Sequence, residues 1–231
     1  MKKIMWGISM LSLVLTAVML QFMPDTVPMH SNFEGEIDRW GSKYENLIFP
    51  VIIFLLALFW HLFITHFEKK ASKAGTEKER VELLSNVKVL GIVGIMSVGV
   101  NIVIEGVSMY SKCVNAGSDA SNSNIDIMKI TCILLGVLFI VLGNFMPKTR
   151  KNTAVGVRIK WSMYNDTTWM KSNRFGAIAM IITGLLSVGT TIFTKALTAI
   201  ILMTVYLLAA VTAIFIYSYR VYKKELAGQN N

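Results

Sequence analysis

The stretch Asn144–Gly176, NFMPKTRKNTAVGVRIKWSMYNDTTWMKSNRFG, is the longest polar interruption in the second half of a very apolar chain. It contains one acid, Asp166, and seven basic residues: Lys148, Arg150, Lys151, Arg158, Lys160, Lys171 and Arg174. Such a basic segment is typical of a nucleic-acid contact or of the cytoplasmic side of a membrane protein. The rest of the chain decides between these two interpretations.

Apolar runs long enough to cross a membrane lie on both sides of this stretch. The 231-residue chain is 54% hydrophobic and only 16% charged, whereas a soluble domain usually has about a quarter of its residues charged. A helix needs about 20 apolar residues to span the hydrocarbon. Six runs of near this length occur: Ile4–Met23, Asn46–His66, Val87–Met109, Ile127–Met146, Phe175–Thr194 and Leu197–Ser218. The sequence therefore predicts an all-α membrane protein with six transmembrane helices.

The first run could be a signal peptide, because Lys2 and Lys3 precede it. Its apolar core is long for that role, however, and no clear cleavage site occurs before Pro24. We therefore expect it to be a retained first span. The fifth and sixth runs are separated only by a tight turn around Lys195, which predicts two antiparallel neighbours.

The lysines and arginines of the short loops indicate how the six helices are oriented. With the N-terminus inside, 18 of the 23 basic residues fall on the cytoplasmic side and 5 on the outer side. This asymmetry accounts for the formal charge of +9 without direct contact with nucleic acid. We expect a multi-pass protein in contact with the lipid bilayer, with both termini cytoplasmic.

Three regions follow from this topology. Residues 1–67 hold the first two spans and an ordered extracellular loop at 24–46. Residues 68–126 hold a cytoplasmic connector, the third span and a second extracellular loop. Residues 127–231 hold the last three spans, with a cytoplasmic signature loop at 147–174 between the fourth and fifth.

The outer loop after the first span contains turn-forming residues at several positions. Pro24 and Pro28 fix the backbone and stop the first helix, and Gly35 and Gly41 offer turn positions. This composition predicts an ordered loop on the membrane face rather than a flexible tether.

Several side chains of this loop could bind a partner. His30, Glu34, Glu36 and Asp38 match no known spacing of metal ligands, so we predict no metal site and expect His30 and Asp38 to be hydrogen-bond partners within the loop. Trp40 is a candidate anchor for a peptide, because aromatic residues concentrate binding energy.

Polar residues recur at helical spacing within three of the predicted spans. In the third span they are Gly94, Ser97, Asn101, Glu105 and Ser108; in the first, Ser9, Ser12 and Thr16; in the fifth, Thr183, Ser187, Thr190 and Thr194. Such stripes are typical of close helix packing, and a polar groove is the functional alternative. Glu105 is the only acid well inside a predicted span and is therefore a functional candidate, with Asn101 as its expected hydrogen-bond neighbour.

The signature loop has an internal pattern of its own. Apolar and polar residues alternate from Val155 to Met163, and this period of two predicts an extended segment with one apolar and one basic face. After it, Asn165 or Asp166 can cap a helix that carries Trp169 into the fifth span.

These residues resemble the signature of the SdpI family of bacterial membrane immunity proteins. The matching positions are Asn144, Pro147, Asn152, Gly156, Arg158, Trp161, Trp169, Arg174 and Gly176. The outer loop, P-x-x-x-P-x-H followed by G-E-x-D-x-W-G-S-K, resembles a small domain of unknown function that often precedes this signature. The chain departs from the family pattern at Ser162, where Thr is usual, and at Asn173, where His is common.

The resemblance implies a protein of the bacterial cell membrane that protects the cell from a secreted antimicrobial peptide toxin. It also implies a toxin receptor that recruits a cytoplasmic repressor. On this hypothesis the toxin-binding residues are His30, Asp38, Trp40, Asn101 and Glu105. The alternative is a small transporter or channel with a polar path between spans one, three and five.

An enzyme is not predicted. His61 and His66 do not share a helical face closely, and no metal-binding or acid-pair motif accompanies them. Cys113 and Cys132 lack the spacing of a zinc site, and their spacing leaves open whether they pair. We expect no cofactor.

Overall fold

A computed structural model describes residues 1–32, 36–116, 126–148, 151 and 156–229. Six long helices make up most of this part of the chain: α1 (Lys2–Phe22), α2 (Ile48–Ser72), α3 (Glu77–Ala116), α4 (Ile127–Phe145), α5 (Asp166–Phe193) and α6 (Ala196–Gln229). All six are long and apolar enough to cross a membrane, so the prediction of six such helices is confirmed. Helices α3, α5 and α6 continue well beyond the apolar runs.

The loop after α1 contains two strands that the sequence did not predict. Strands β1 (Thr26–Ser31) and β2 (Ile37–Ser42) pair antiparallel, with Thr26 opposite Ser42 and Pro28 opposite Trp40. The register is irregular on both sides of His30. The helices therefore carry a small hairpin, and a 3₁₀ turn at Lys43–Leu47 leads from it into α2.

An isolated two-stranded ribbon is marginal in water, and the hairpin is supported by the helices next to it. Val27 of β1 is completely buried in a cluster with Leu20, Met23 and Met109. This apolar cluster joins the hairpin to the end of α1 and to the last turns of α3.

The described chain forms two compact units, the first of which comprises Met1–Leu62 and Gly94–Thr131. In this unit the buried face of α1 is a stripe at steps of three and four: Met5, Ser9, Ser12, Thr16 and Leu20. Gly94 permits close contact with this stripe, because a Cβ there would lie 2.7 Å from Met5 Sδ and 3.1 Å from Trp60 Cγ.

The second unit comprises Phe63–Val93 and Cys132–Asn231. Helices α4 and α5 approach backbone to backbone, because a Cβ on Gly143 would lie 2.8 Å from the carbonyl oxygen of Ala177. Small residues permit this kind of packing between membrane helices. The expected tight turn joins α5 and α6, and these helices pack along their length, with Phe175 stacked on Tyr217 at 4.2 Å between ring centroids.

Candidate functional site

A buried polar contact joins α1 to α3 in the first unit. Glu105 is completely buried, and the hydroxyl of Thr16 donates to its Oε1 at 2.5 Å. The other carboxylate oxygen, Oε2, is buried and has no hydrogen-bond partner among the described residues. The hydroxyls of Ser9 and Ser12, on the same face of α1, are also buried without a partner there.

The expected pairing of Glu105 with Asn101 is wrong. The side-chain amide of Asn101 donates to the carbonyl oxygen of Ser97 at 2.9 Å, four residues back on its own helix. Thr16 takes the place of Asn101 because the buried face of α1 lies directly against Glu105. This partner is 89 positions away in sequence, so helical spacing within α3 could not reveal it.

A buried lysine, missed by the sequence reasoning, ties the hairpin region to α3. Lys112 is 8% exposed, and its ammonium donates to Asn46 Oδ1 at 2.5 Å and lies 5.1 Å from the ring centroid of Phe49. The side-chain amide of Asn46 donates in turn to the carbonyl of Lys43 at 2.8 Å. The sequence offers one signal for Lys112: basic residues are scarce in the segments that are predicted to be extracellular, so a lysine there is a candidate for a specific contact.

The outward surface of the hairpin carries the predicted loop residues. His30 Nδ1 lies 2.6 Å from Asp38 Oδ1, so their expected pairing is confirmed. Trp40 is 48% exposed and lies on β2 opposite Pro28. Glu34 lies outside the described residues. Among the residues that are described, no group of three or more His, Cys, Asp or Glu side chains could hold a metal ion.

A second salt bridge orders the end of the hairpin. Arg39 Nη2 donates to Glu45 Oε2 at 2.5 Å, and Glu45 Oε1 accepts from the backbone N–H of Ser42 at 3.1 Å. Ser42 caps the 3₁₀ turn in a reciprocal capping box with Glu45. These bonds join the end of β2 to the 3₁₀ turn that leads into α2.

In the second unit, the signature loop folds onto the start of α5. Gly156 has φ +118°, and a Cβ there would meet Asn173 Oδ1 and lie 2.9 Å from Trp169 Cη2. Asn173 Oδ1 accepts from the backbone N–H of Val157 at 2.9 Å, and its Nδ2 donates to the Trp169 carbonyl at 3.0 Å. Only glycine combines this backbone angle with this approach.

The predicted extended segment is wrong for the part of the stretch that the structure describes; Val155 and Asn152 lie outside it. Residues 159–163 form a turn, in which the N–H of Met163 donates to the Ile159 carbonyl at 3.0 Å. The cause is Ser162, which is completely buried. Its hydroxyl lies 2.5 Å from the Val157 carbonyl and accepts from the Ile159 N–H at 3.1 Å.

The predicted helix start is confirmed at Asn165. Its side chain accepts from the N–H of Thr168 at 2.7 Å, and the Thr168 hydroxyl accepts from the Asn165 N–H at 3.0 Å. The same hydroxyl lies 3.1 Å from the Ser162 carbonyl. Helix α5 therefore begins in the loop and runs without a break through Trp169 into the apolar run.

Aromatic residues attach the loop to α6. The ring centroids of Trp161 and Tyr219 are 4.9 Å apart, and those of Tyr164 and Tyr222 are 5.0 Å apart. Lys171 pairs with Glu225 at 3.1 Å. Four signature residues lie on the exposed surface, Asn144, Pro147, Arg158 and Arg174, whereas Gly176 is buried in α5.

Both departures from the family pattern lie at the buried centre of this loop. Ser162 and Asn173 each bond backbone groups of the loop, and Asn173 is only 1% exposed. Their role in this chain is therefore to hold the loop closed. Cys113 and Cys132 are not joined by a disulfide.

These elements define a polytopic helical membrane protein in which a hairpin joins the first two spans and a folded polar loop precedes the fifth. Residues 7–54 match the model of a domain of unknown function, DUF1648. Residues 148–218 match the model of the SdpI/YfhL protein family. The chain thus contains an SdpI-family region preceded by this domain of unknown function, as the resemblance predicted.

The chain is similar over nearly its whole length to a curated protein, "Immunity protein SdpI" of Bacillus subtilis (strain 168). The two are 22% identical over 216 residues, which cover 93% of this chain and 92% of the relative. No solved structure matches the chain.

Proposed function

We propose that the protein is a membrane immunity protein that protects the cell from a secreted antimicrobial peptide toxin. The observation that carries the proposal is the similarity to an immunity protein over 93% of the chain, with both family regions in order. A protective role needs no chemical step, and we propose no enzymatic activity.

The hairpin is the proposed contact surface for the toxin. It presents the half-exposed Trp40 beside the charged pair of His30 and Asp38, and it is fixed to α3 through Lys112 and Asn46. A rigid surface with one large aromatic residue loses little conformational entropy when it binds a peptide. An amphipathic toxin could place its apolar face on Trp40 and its polar face on the charged pair.

The buried contact between Glu105 and Thr16 would respond to such binding. Glu105 lies one helical turn before Met109, which packs against Val27 of the hairpin. A displacement of the hairpin therefore acts on the turn of α3 that carries Glu105. Asn101 lies on the same helix, one turn before Glu105, and we include it in this proposed response to the toxin.

Reporting to the cytoplasm is the finer part of the proposal. With the termini inside, the signature loop presents Arg158, Lys160 and Arg174 to the cytoplasm. An exposed basic surface on an ordered loop suits a repressor with an acidic face, as an inducing toxin receptor would require.

The immunity proposal is tested by expression in a toxin-sensitive strain. We expect cells that express the protein to survive toxin concentrations that kill cells with the empty vector. Trp40→Ala should lower the tolerated toxin concentration by about tenfold at equal membrane abundance, as for a binding hot spot. The matched control is Phe193→Ala, because Phe193 is an exposed aromatic residue outside the hairpin. Survival equal to that of the vector would refute the proposal.

A small transporter is the second candidate, and it is favoured by the buried, unpaired hydroxyls of Ser9 and Ser12 on the face of α1 whose Thr16 bonds Glu105. Under this hypothesis, protein in liposomes conducts a small ion or solute, and Glu105→Gln abolishes the flux. Liposomes that stay tight with the unmodified protein exclude it.

A further inference from the structure

A cavity of about 420 Å³ lies in the second unit between the end of α2, the start of α3 and the signature loop. Its charged lining consists of three lysines and three acids: Lys70, Lys78, Lys151, Glu79, Glu82 and Asp166. The volume is that of an ordinary small-molecule site. The hairpin and the buried contact of Glu105 belong to the other unit, so the immunity proposal does not use this cavity.

The charges around the cavity are balanced and are not paired with each other. Among the described residues, no ion pair joins any of these lysines to any of these acids within 4.0 Å. Glu79 accepts one backbone bond, from the N–H of Gly75 at 3.3 Å. Charges of both signs that surround a space without neutralising each other suit a ligand that carries both signs itself.

A buried acceptor also lines the cavity. Asn86 is 2% exposed, and its Oδ1 has no hydrogen-bond partner in the part of the chain that the structure describes. Leaving a buried amide oxygen unsatisfied costs free energy, so a donor from a ligand would be stabilising. An ammonium group on a ligand would donate N–H bonds to this amide oxygen and would also neutralise the carboxylates.

The position of Asn86 along α3 indicates where this ligand comes from. Asn86 directly precedes Val87, at which the apolar run of the third span begins. The end of the cavity at Asn86 therefore lies at the boundary between hydrocarbon and headgroups. A lipid headgroup is present at this depth at high local concentration.

We propose that the cavity binds the headgroup of a phospholipid that carries a primary ammonium and a phosphate, as in phosphatidylethanolamine. The ammonium donates to Asn86 Oδ1 and to the carboxylates of Glu82 and Asp166, and the phosphate is bound by the lysines. This proposal goes beyond immunity: a chain that gives no protection would still bind the lipid.

Native mass spectrometry of the full-length protein in detergent tests the proposal with three lipids of equal acyl chains. We expect phosphatidylethanolamine to be retained about tenfold better than phosphatidylcholine, which has no N–H on its cation, and better than phosphatidylglycerol, which has no cation. Equal retention of the three lipids overturns the proposal.

Variants locate the binding site in the same experiment. Asn86→Leu keeps the side-chain size and removes the acceptor, and Glu82→Gln removes a charge from a half-exposed position where folding is not at risk. We expect both to lose about tenfold in phosphatidylethanolamine retention. Lys73→Gln is the matched control, since Lys73 is exposed on the same connector and does not line the cavity. Unchanged retention in Glu82→Gln, or tight binding of phosphoethanolamine without acyl chains, counts against the lipid headgroup.

Discussion

Single residues with several partners decide how the signature loop folds. Asn173 joins two backbone segments, because its side chain accepts from the N–H of Val157 in the loop and donates to the carbonyl of Trp169 in α5. Gly156 supplies the backbone angle that places the loop against Asn173. Trp169 then fills the space that a side chain at position 156 would need. Each of the three positions depends on the other two.

Gly156→Ala should destabilise the protein strongly. The new Cβ would be strained at φ +118° and would meet both Asn173 and Trp169, which together should cost about 2 kcal/mol or more. Thermal unfolding in detergent measures the loss. Gly189→Ala is the control, because Gly189 lies inside α5 with open space around it and should be neutral or slightly stabilising. Equal unfolding temperatures for the two variants would contradict this account.

Asn173→His should make stability depend on pH. The buried imidazole must stay neutral for a ring nitrogen to accept from the Val157 N–H, so its folded-state pKa is depressed below the unfolded value of about 6.5. The unfolded state then binds more protons, and the free energy of unfolding falls as pH drops below about 6.5. Unfolding temperatures at pH 5.5 and 8 measure the effect. The unmodified protein is the control, and a variant with equal shifts at both pH values would refute the prediction.

At the scale of elements, the helices were predictable and the hairpin was not. A run of about 20 apolar residues has few alternatives to a spanning helix. The strands were hidden because Pro28 and the irregular register around His30 break the alternation that marks a strand. The alternation in the signature loop predicts an extended segment. These residues form a turn instead, because the buried hydroxyl of Ser162 bonds the backbone.

The candidate site was predictable only where its partners are close in sequence. His30 and Asp38 are eight positions apart and their pairing was foreseen. Thr16 and Glu105 are 89 positions apart, and Asn46 and Lys112 are 66 apart, so both contacts depend on how the helices pack. One sequence without its fold gives no measure of such packing.

Lys112→Ala should loosen the hairpin as an element. The substitution leaves Asn46 Oδ1 buried without its donor and removes the ammonium from the Phe49 ring. We expect hydrogen exchange in β1 and β2 to rise about 5- to 30-fold, which corresponds to about 1–2 kcal/mol, with no change in α5 and α6. Lys195→Ala, at an exposed lysine in the turn between α5 and α6, is the control. Exchange that rises everywhere would indicate global destabilisation instead.

At the scale of the molecule, the charge asymmetry predicts which loops face the cytoplasm. In a background without Cys113 and Cys132, a membrane-impermeant maleimide should label Tyr44→Cys in intact cells and Lys160→Cys only after permeabilisation. Tyr44 and Lys160 are both exposed, so access to the reagent depends on the side of the membrane. Gly75→Cys, in the connector, should behave like Lys160→Cys. The reverse pattern would place both termini outside.

The length of helix α5 determines the depth at which the signature loop lies in the membrane. Its 28 residues extend about 42 Å, whereas the hydrocarbon is about 30 Å thick. The polar N-terminal part of α5, from Asp166 to Arg174, therefore lies in the headgroup layer, and the loop is bonded to it through Asn173 and Thr168. When the hydrocarbon thickness changes, α5 can compensate by tilting. The loop is bonded to the N-terminal part of α5 and therefore moves together with the helix. The internal geometry of the loop therefore does not depend on the thickness of the bilayer.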